Sequence, residues 1–201
     1  YKSAEVKNLL DKFYEIKDTK LLMGHSRLQT HGNRDNNLNN QPLVHNDIVM
    51  LHNGIICNYE SLFNKNNIQS DTDLDSEYLI KRFSELKNKN SSQKSIETIF
   101  EEIEGEATIA LYENENLHLA TNCGNLYYIY FENSFELIFA SERSFLELDK
   151  IGVSKYKINK LEPQTLITFD IKNKNIKKSS ISLSRVQVQY VYKPIEDIKL
   201  D

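Results

Sequence analysis

The second half of the chain is a succession of short apolar runs separated by polar turns, and this pattern restricts the fold more than any other feature. Each run has five to nine residues, and Asn is the commonest residue in the turns between them. Short strands joined by tight turns pair in antiparallel fashion. The predicted strands are Ala107–Tyr112, Leu117–Thr121, Leu126–Phe131, Leu137–Ser141, Gln164–Asp170 and Asn175–Leu183.

The first half of the chain carries mainly helical signals. Apolar residues recur at helical spacing after Ser3, which is the predicted cap of a first helix. Helices that precede a run of antiparallel strands indicate an α+β fold of stacked layers. The other predicted elements of this half are a buried strand over Lys20–Ser26, a long polar loop over Gln29–Asn46 and a strand over Asp47–Asn53 that stops at Gly54. Three further helices are predicted: one over Tyr59–Lys65, one that begins after Asp75 as its N-cap, and one over Lys94–Ile103.

Composition excludes several classes of protein. The 201 residues are 39% hydrophobic and 27% charged, as in a globular domain. The net charge of −4 gives no reason to expect nucleic-acid binding, because the surfaces that bind nucleic acid are basic. No apolar run reaches the roughly 20 residues of a membrane span, so no membrane partner is expected. Cys57 and Cys123 do not make a disulfide framework, which favours the cytoplasm.

Four polar clusters lie close together in the first half of the chain. They fall at predicted strand ends, in a loop and at a helix start, where functional residues concentrate. The clusters are Gly24–Gly32, Asn40–Leu43, His52–Tyr59 and Asp73–Glu77.

The side chains of these clusters suit a small zwitterion. Arg27 offers a planar fork for a carboxylate, and Asp75 offers a counter-charge for an ammonium. The Asn53 amide and the Gly54 backbone N–H can point together at one oxygen, as in an oxyanion hole. Each also has a plain structural alternative: Arg27 can pair with Asp75, Asp75 can act only as an N-cap, and Asn53-Gly54 can be a simple turn.

The histidines and cysteines also have a functional and a structural interpretation. His25, His31, His45 and His52 have no compact metal-ligand spacing, so no metal is expected. The two cysteines are candidate nucleophiles, but free cysteines are more often small buried hydrophobic residues.

In order and spacing, the clusters resemble the class II glutamine amidotransferase domain, the glutaminase domain of glucosamine-6-phosphate synthase, amidophosphoribosyltransferase and asparagine synthetase. The segments that carry the resemblance are GHSRLQTHG, NNQP, HNGIICNYESL and DSE, followed by GEAT, FASE and LEPQ. The resemblance covers residues 1–185 and leaves 186–201 as a C-terminal extension or the start of a linker to a synthase domain.

The resemblance implies the N-terminal-nucleophile hydrolase fold, a four-layer αββα sandwich of two antiparallel sheets between helical layers, here without its first strand. It also implies a site for glutamine. The implied binding residues are Arg27, Thr30, His31, Gly54 and Asp75, with Gln41 at the edge of the site and with Asn53 and Gly54 as the oxyanion hole.

In such domains the nucleophile is an N-terminal cysteine whose own α-amino group is the base. Because Tyr1–Ile16 matches the helix before the arginine strand, that cysteine is expected about 45–55 residues upstream of Tyr1, and the 201-residue chain alone is expected to be inactive. The subfamily stays open. Leu28 is closer to asparagine synthetase, whereas Thr30–Gly32 and Asp75–Glu77 are closer to the amino-sugar enzymes.

Two functions of different kinds follow from the resemblance. The first is a glutaminase that hydrolyses L-glutamine to glutamate and ammonia for a synthase domain or subunit, without a cofactor. The second is a catalytically inactive domain that senses glutamine or acts as a scaffold. A different N-terminal-nucleophile amidase, such as an acylase, is a third alternative, although Arg27 and Asp75 together suit an amino acid. A homo-oligomer is left open.

Overall fold

The computed structural model describes residues 2, 6–26 and 39–183. Two turns of 3₁₀ helix, Arg143–Leu146 and Leu148–Ile151, lie between the sixth and seventh strands. None of the helices in these ranges is long and apolar enough to cross a bilayer. The elements are α1 (Val6–Glu15), β1 (Leu43–His45), β2 (Ile48–Ile56), α2 (Tyr59–Asn66), α3 (Ser76–Lys87), α4 (Ser92–Glu102), β3 (Gly105–Glu113), β4 (Asn116–Thr121), β5 (Tyr127–Phe131), β6 (Glu136–Ala140), β7 (Asn159–Lys160), β8 (Thr165–Asp170) and β9 (Asn175–Ser180).

The strands form two antiparallel sheets. The large sheet has the order β1-β2-β3-β4-β8-β9, and the small sheet has the order β6-β5-β7. Tight turns join β3 to β4, β5 to β6 and β8 to β9, and such turns favour antiparallel neighbours. The prediction of an α+β fold with two antiparallel sheets is confirmed.

The large sheet is buried on both faces. Helices α2, α3 and α4 pack on one face, where Met50 of β2 and Tyr78 of α3 are completely buried. The small sheet packs on the other face, where Leu51 of β2 and Tyr128 of β5 share one apolar cluster. Successive side chains of a strand point to opposite faces, so β2 contributes to both interfaces.

The outer face of the small sheet is covered by the first 3₁₀ turn. Tyr128 and Tyr130 point towards the large sheet, so Ile129 between them points outwards. Ile129 and Leu146 are each only 1% exposed, and the 3₁₀ turn that carries Leu146 contacts both β5 and β6. In the described residues the layers are therefore, in order, the helices, the large sheet, the small sheet and the first 3₁₀ turn.

Most predicted elements are confirmed to within two residues, but the strand predicted over Lys20–Ser26 is wrong. Leu21 and Met23 pack on the apolar cluster between the sheets, whereas Leu22 is 49% exposed, so the burial alternates as in an extended chain. A strand also needs a hydrogen-bonded neighbour, and this segment pairs with no strand of the described residues. The polar loop predicted over Gln29–Asn46 contains β1, and its residues 29–38 lie outside the described ranges.

Gly54 does not stop β2, contrary to the prediction, because two glycines let β2 and β3 run unusually close together. A Cβ on Gly54, at φ +145°, would lie 2.0 Å from the carbonyl oxygen of Glu106. A Cβ on Gly105 of β3, at φ +121°, would lie 2.1 Å from the carbonyl oxygen of Ile55. Only glycine tolerates both the backbone angles and the contacts, so the strand continues through Gly54 to Ile56.

A buried carboxylate joins the large sheet to the helical layer. Glu113, at the end of β3, is 4% exposed. It accepts hydrogen bonds from Lys87 at 2.5 Å, Ser92 at 2.8 Å and His118 at 3.3 Å. The hydrogen bond with His118, supported by Ser92 and Lys87 and opposed by burial, lowers the pKa of Glu113 to about 2.

We expect Glu113→Gln to lower the free energy of unfolding by about 2–3 kcal/mol at neutral pH, because it leaves Lys87 without its buried partner. The pKa of the folded state lies below the ordinary 4.5, so the contribution is complete above that value and is lost as the pH falls towards 2. The melting temperatures of the full-length wild type and variant should therefore converge on acidification. Glu132→Gln, at an exposed position, is the control. A constant gap between wild type and Glu113→Gln at all pH values would contradict the assignment.

Candidate functional site

Asn53 lies within β2, opposite Thr108 of β3. It shares the face of Leu51, which is the face towards the small sheet, but it sits nearer the end of the strand and is exposed. Its side-chain amide makes no hydrogen bond to any described residue. The alternative interpretation of Asn53-Gly54 as a simple turn is wrong, since both residues belong to the strand.

One edge of β2 presents a row of backbone N–H groups. The N–H of His52 donates to Oε1 of Gln41 at 2.6 Å, and the N–H of Ile56 donates to Oδ2 of Asp75 at 2.8 Å. Gly54 lies between them, and alternate residues of a strand direct their N–H groups to the same side. The N–H of Gly54 therefore points out from this edge, between the Gln41 amide and the Asp75 carboxylate.

The contacts of β3 lead to the same orientation for Gly54. Ala107 stands opposite Gly54. Its carbonyl accepts from the N–H of Asn122 at 3.1 Å, and its N–H donates to the Asn122 side chain at 2.8 Å. Both backbone groups of Ala107 thus face β4, so the N–H of Gly54 takes no part in the hydrogen bonds between β2 and β3. Asn53 and Gly54 each bring a donor that the described residues leave unused.

Gln41 extends β1 with its side chain. The register that pairs Leu43 with Met50 would place Gln41 opposite His52, but the backbone pairing of β1 ends at Leu43, next to Pro42. The Gln41 amide takes over, accepting from the His52 N–H at 2.6 Å and donating to the His52 carbonyl at 2.8 Å. Gln41 is therefore fixed one residue from Asn53, with its amide bonded to β2.

Asp75 both caps α3 and ties this helix to β2. Its Oδ1 accepts from the N–H of Ser76 at 2.7 Å and from the Ser76 hydroxyl at 3.1 Å, and its Oδ2 accepts from the N–H of Ile56 at 2.8 Å. An N-cap carboxylate commonly bonds the first helical N–H groups. The additional bond to the strand sets its orientation relative to Gly54, so the predicted N-cap is confirmed and the carboxylate also reaches the edge of β2.

Glu77 organises the loop before α3. It is 4% exposed and accepts from the backbone N–H groups of Asp71 and Thr72, each at 2.9 Å, and from the Ser70 hydroxyl at 2.8 Å. Burial raises the pKa of Glu77, but the hydrogen bonds, led by that from Lys81, outweigh it and lower the pKa. The first turn of α3 thus holds both the loop that precedes it and the strand beside it.

His52 is a site residue for which the sequence alone suggests only the role of a metal ligand. It is 3% exposed and points into the helical layer, with Nδ1 2.8 Å from Oγ of Ser76. Its buried Nε2 has no hydrogen-bond partner among the described residues. Burial lowers the pKa of His52, against the charge of Asp75 and the backbone of Glu106, so the ring is neutral at neutral pH. A polar residue at an inward position of a predicted strand was the available signal.

Three predicted binding residues, Arg27, Thr30 and His31, lie outside the described residues, and so does the alternative pairing of Arg27 with Asp75. The two cysteines differ in their surroundings. Cys57 is exposed just beyond β2. Cys123 is half-buried.

The sulfur of Cys123 lies close to Thr108, the residue of β3 that stands opposite Asn53. Its Sγ lies 3.5 Å from Oγ1 of Thr108 and 3.6 Å from Oγ1 of Thr121.

The described part of the site thus contains the exposed amide of Asn53, the free backbone N–H of Gly54 and the oriented carboxylate of Asp75. Such a set can bind an ammonium at the carboxylate and a polarised oxygen at the two donors.

Comparison with protein families identifies the kind of domain. Residues 25–147 match the model of the glutamine amidotransferase domain. A comparison with curated proteins found no match.

Three solved structures are similar to this one. Glutamine phosphoribosylpyrophosphate (PRPP) amidotransferase from B. subtilis, complexed with ADP and GMP, has a TM-score of 0.58 and 18% identity over 73% of this chain and 33% of its own. An allosteric regulatory enzyme of purine biosynthesis has a TM-score of 0.57 and 18% identity over 73% of this chain and 32% of its own. A glutamine aminotransferase class-II domain protein from Silicibacter pomeroyi has a TM-score of 0.48 and 15% identity over 73% of both chains.

The chain spans about a third of the length of the first two proteins, and at this identity the likeness shows the fold, that of the N-terminal-nucleophile hydrolase amidotransferases. The fold predicted from the resemblance is therefore confirmed. Residues 25–147 make up more than half of the 201 residues. The chain thus belongs to the glutamine amidotransferase domain family, as the order of its sequence motifs predicted.

Proposed function

We propose that the chain is the glutaminase domain of a class II amidotransferase, which hydrolyses L-glutamine to glutamate and ammonia for a synthase domain or subunit. Family membership supports the reaction class. The observation that carries the proposal is the pair of unused donors on Asn53 and Gly54, adjacent to the Asp75 carboxylate that is oriented by β2.

Substrate binding would use the two charged ends of the amino acid. Asp75 binds the ammonium of glutamine, and Arg27 binds its carboxylate through the guanidinium fork. Thr30 and His31 complete the site, and Gln41 borders it with its amide bonded to His52.

The chemistry would follow from where charge develops. The thiolate of an N-terminal cysteine, deprotonated by its own α-amino group, attacks the side-chain amide carbon of glutamine. The carbonyl oxygen becomes an oxyanion, which the Asn53 amide and the Gly54 N–H stabilise. The tetrahedral intermediate collapses, the amide nitrogen takes a proton and leaves as ammonia, and water then cleaves the thioester to release glutamate and the free thiol.

Asp75→Asn in the full-length protein is expected to raise KM for glutamine about 10–100-fold and to change kcat less than about threefold, because it removes a charge contact already present in the bound ground state. Asparagine caps helices as well as aspartate does, so the melting temperature should stay close to that of the wild type. Arg27→Ala should act on KM in the same direction.

Asp73→Asn is the matched control, since it removes an equal charge two residues away, and among the described residues the Asp73 side chain accepts a hydrogen bond from Asn39 alone. An equal rise in KM for Asp73→Asn, or an unchanged KM for Asp75→Asn, would rule out the ammonium site.

The proposed activity is tested by ammonia release from glutamine with the full-length protein, followed by labelling with an electrophilic glutamine analogue. We expect glutamine-dependent ammonia and a label on a cysteine upstream of Tyr1. A label on Cys57 or Cys123 would instead place the nucleophile within this chain. Glutamine binding without ammonia release would support the alternative of a sensing or scaffolding module, and absence of binding would reject both.

We propose further that this domain extends over residues 1–185 and that 186–201 lead on from it, in a protein of the cytoplasm, where unpaired cysteines stay reduced. Limited proteolysis of the full-length protein should then cut within 186–201 and leave residues 39–183 intact.

A further inference from the structure

Two neighbouring residues of β2 face different layers of the molecule. Asn53 faces the small sheet and is exposed, whereas His52 faces the helical layer and is buried. Through Nδ1, His52 contacts Ser76, the first residue of α3, at 2.8 Å. Strand and helix are thus connected directly behind the candidate oxyanion hole.

The hydrogen atoms along this connection can be assigned from the acceptors. A carboxylate accepts only, so the Ser76 hydroxyl donates to Oδ1 of Asp75 at 3.1 Å. A hydroxyl has one hydrogen, so while Ser76 donates to Asp75 its Oγ accepts from His52, and this arrangement requires the proton on Nδ1 of the ring. The result is a chain of donors from β2 through Ser76 to Asp75.

This tautomer leaves Nε2 of His52 as a buried acceptor to which no described residue donates, although the backbone of Glu106 lies close enough to the ring to raise its pKa. A buried polar atom without a partner costs stability. An apolar side chain at this position would avoid the cost, so packing alone does not account for a histidine. The bond from Nδ1 does.

We propose that His52 is a positioning residue for glutamine, which holds the Ser76 hydroxyl so that this hydroxyl orients the Asp75 carboxylate towards the substrate ammonium. The role rests on the proposed function and deepens it. The ring also lies under the oxyanion-hole glycine, since Nε2 is 3.1 Å from the point where a Cβ of Gly54 would sit. One side chain therefore supports both the donor that meets the reacting amide and the carboxylate that meets the ammonium.

The proposal is tested with four variants of the full-length protein. His52→Leu and Ser76→Ala each break the chain of donors and should raise KM for glutamine about tenfold, with kcat within about threefold of the wild type. The double variant should be no worse than either single one, because both remove the same connection. His52→Asn keeps an N–H donor near the place of Nδ1 and should recover most of the affinity.

Melting temperatures distinguish a positioning role of His52 from a role in packing. His52→Leu removes the unpartnered Nε2, so its melting temperature should equal or exceed that of the wild type while its KM rises. His118→Leu is the control, because His118 is a second buried histidine on the same face of the large sheet, with Nδ1 bonded to Thr168 and Nε2 to Glu113. It should melt earlier and keep a normal KM.

A wild-type protein that turns over glutamine while His52→Leu keeps its KM would overturn the role of His52 and leave the proposed function intact. An equal rise in KM for His118→Leu would also overturn it, since general loosening of the sheet would then be the cause. A wild-type protein that neither binds nor hydrolyses glutamine would reject the proposed function, and the positioning role with it.

Discussion

Asn53→Ala in the full-length protein is expected to lower kcat for ammonia release from glutamine by about 10²–10³-fold, or about 3–4 kcal/mol, with a small change in KM. The Asn53 amide is exposed and unbonded within the described residues, so its removal costs the free protein little. Its contribution grows as negative charge develops on the substrate oxygen. The loss should therefore appear in the turnover number rather than in binding.

Asn58→Ala is the matched control for this prediction. The Asn58 amide donates to the carbonyl of Glu102 at 3.0 Å and accepts from the N–H of Glu104 at 2.8 Å, so it is structural. We expect Asn58→Ala to lower the melting temperature and keep kcat per folded molecule, and Asn53→Ala to do the reverse. A folded Asn53→Ala protein with normal kcat would remove the oxyanion assignment.

Gly54→Ala should lower the free energy of unfolding by about 3–5 kcal/mol. The new Cβ would lie 2.0 Å from the Glu106 carbonyl oxygen, where backbone on both strands must move, and φ of +145° is strained for alanine. Since domains of this size are stable by about 5–15 kcal/mol, much of the domain should unfold on mild heating. Calorimetry of the full-length protein measures the shift.

Two other glycines separate the contributions to this effect. A Cβ on Gly24 meets nothing within 4 Å, so Gly24→Ala should leave the melting temperature unchanged. Gly152 has open space but φ of +82°, so Gly152→Ala isolates backbone strain and should cost about 1 kcal/mol. If Gly54→Ala cost no more than Gly152→Ala, the close approach of β2 to β3 would be refuted.

The parts of the fold that the sequence predicted well are those set by neighbouring residues. The hairpin of β3 and β4 turns at Asn114 and Glu115, both at positive φ, and its strands end within two residues of the predicted limits. Helix α3 begins after the predicted cap Asp75 because the cap bonds the next residue in the chain. Local chemistry suffices in both cases.

The predictions failed where a distant residue decides. The apolar alternation of Lys20–Ser26 is that of a strand, but whether a strand forms depends on a pairing partner. Glycine often marks the end of a strand, but Gly54 is required within β2 because β3 passes too close for any side chain at this position. The polar loop concealed β1, whose three residues pair with β2 only in the folded sheet.

The candidate site likewise has parts that local chemistry predicts and parts that depend on distant residues. Asn53, Gly54 and Asp75 could be chosen because their own chemistry suggests an oxyanion hole and a counter-charge. The bonds that orient them could not, because they join residues separated by 11 to 24 positions: Gln41 with His52, Ile56 with Asp75, and His52 with Ser76. The type of a residue predicts which chemical role it can have, whereas its orientation in the site depends on tertiary contacts.

The opposite orientations of His52 and Asn53 make the length of β2 as important as its residues. Inserting or deleting one residue before His52 within the strand would turn every following side chain to the other face. Asn53 would then point into the helices, and His52 would lose Ser76 and face the small sheet. Indels that preserve a working site should therefore be absent from Ile48–Ile56 and gather at hairpin tips such as Asn114–Glu115, where no side chain changes layer.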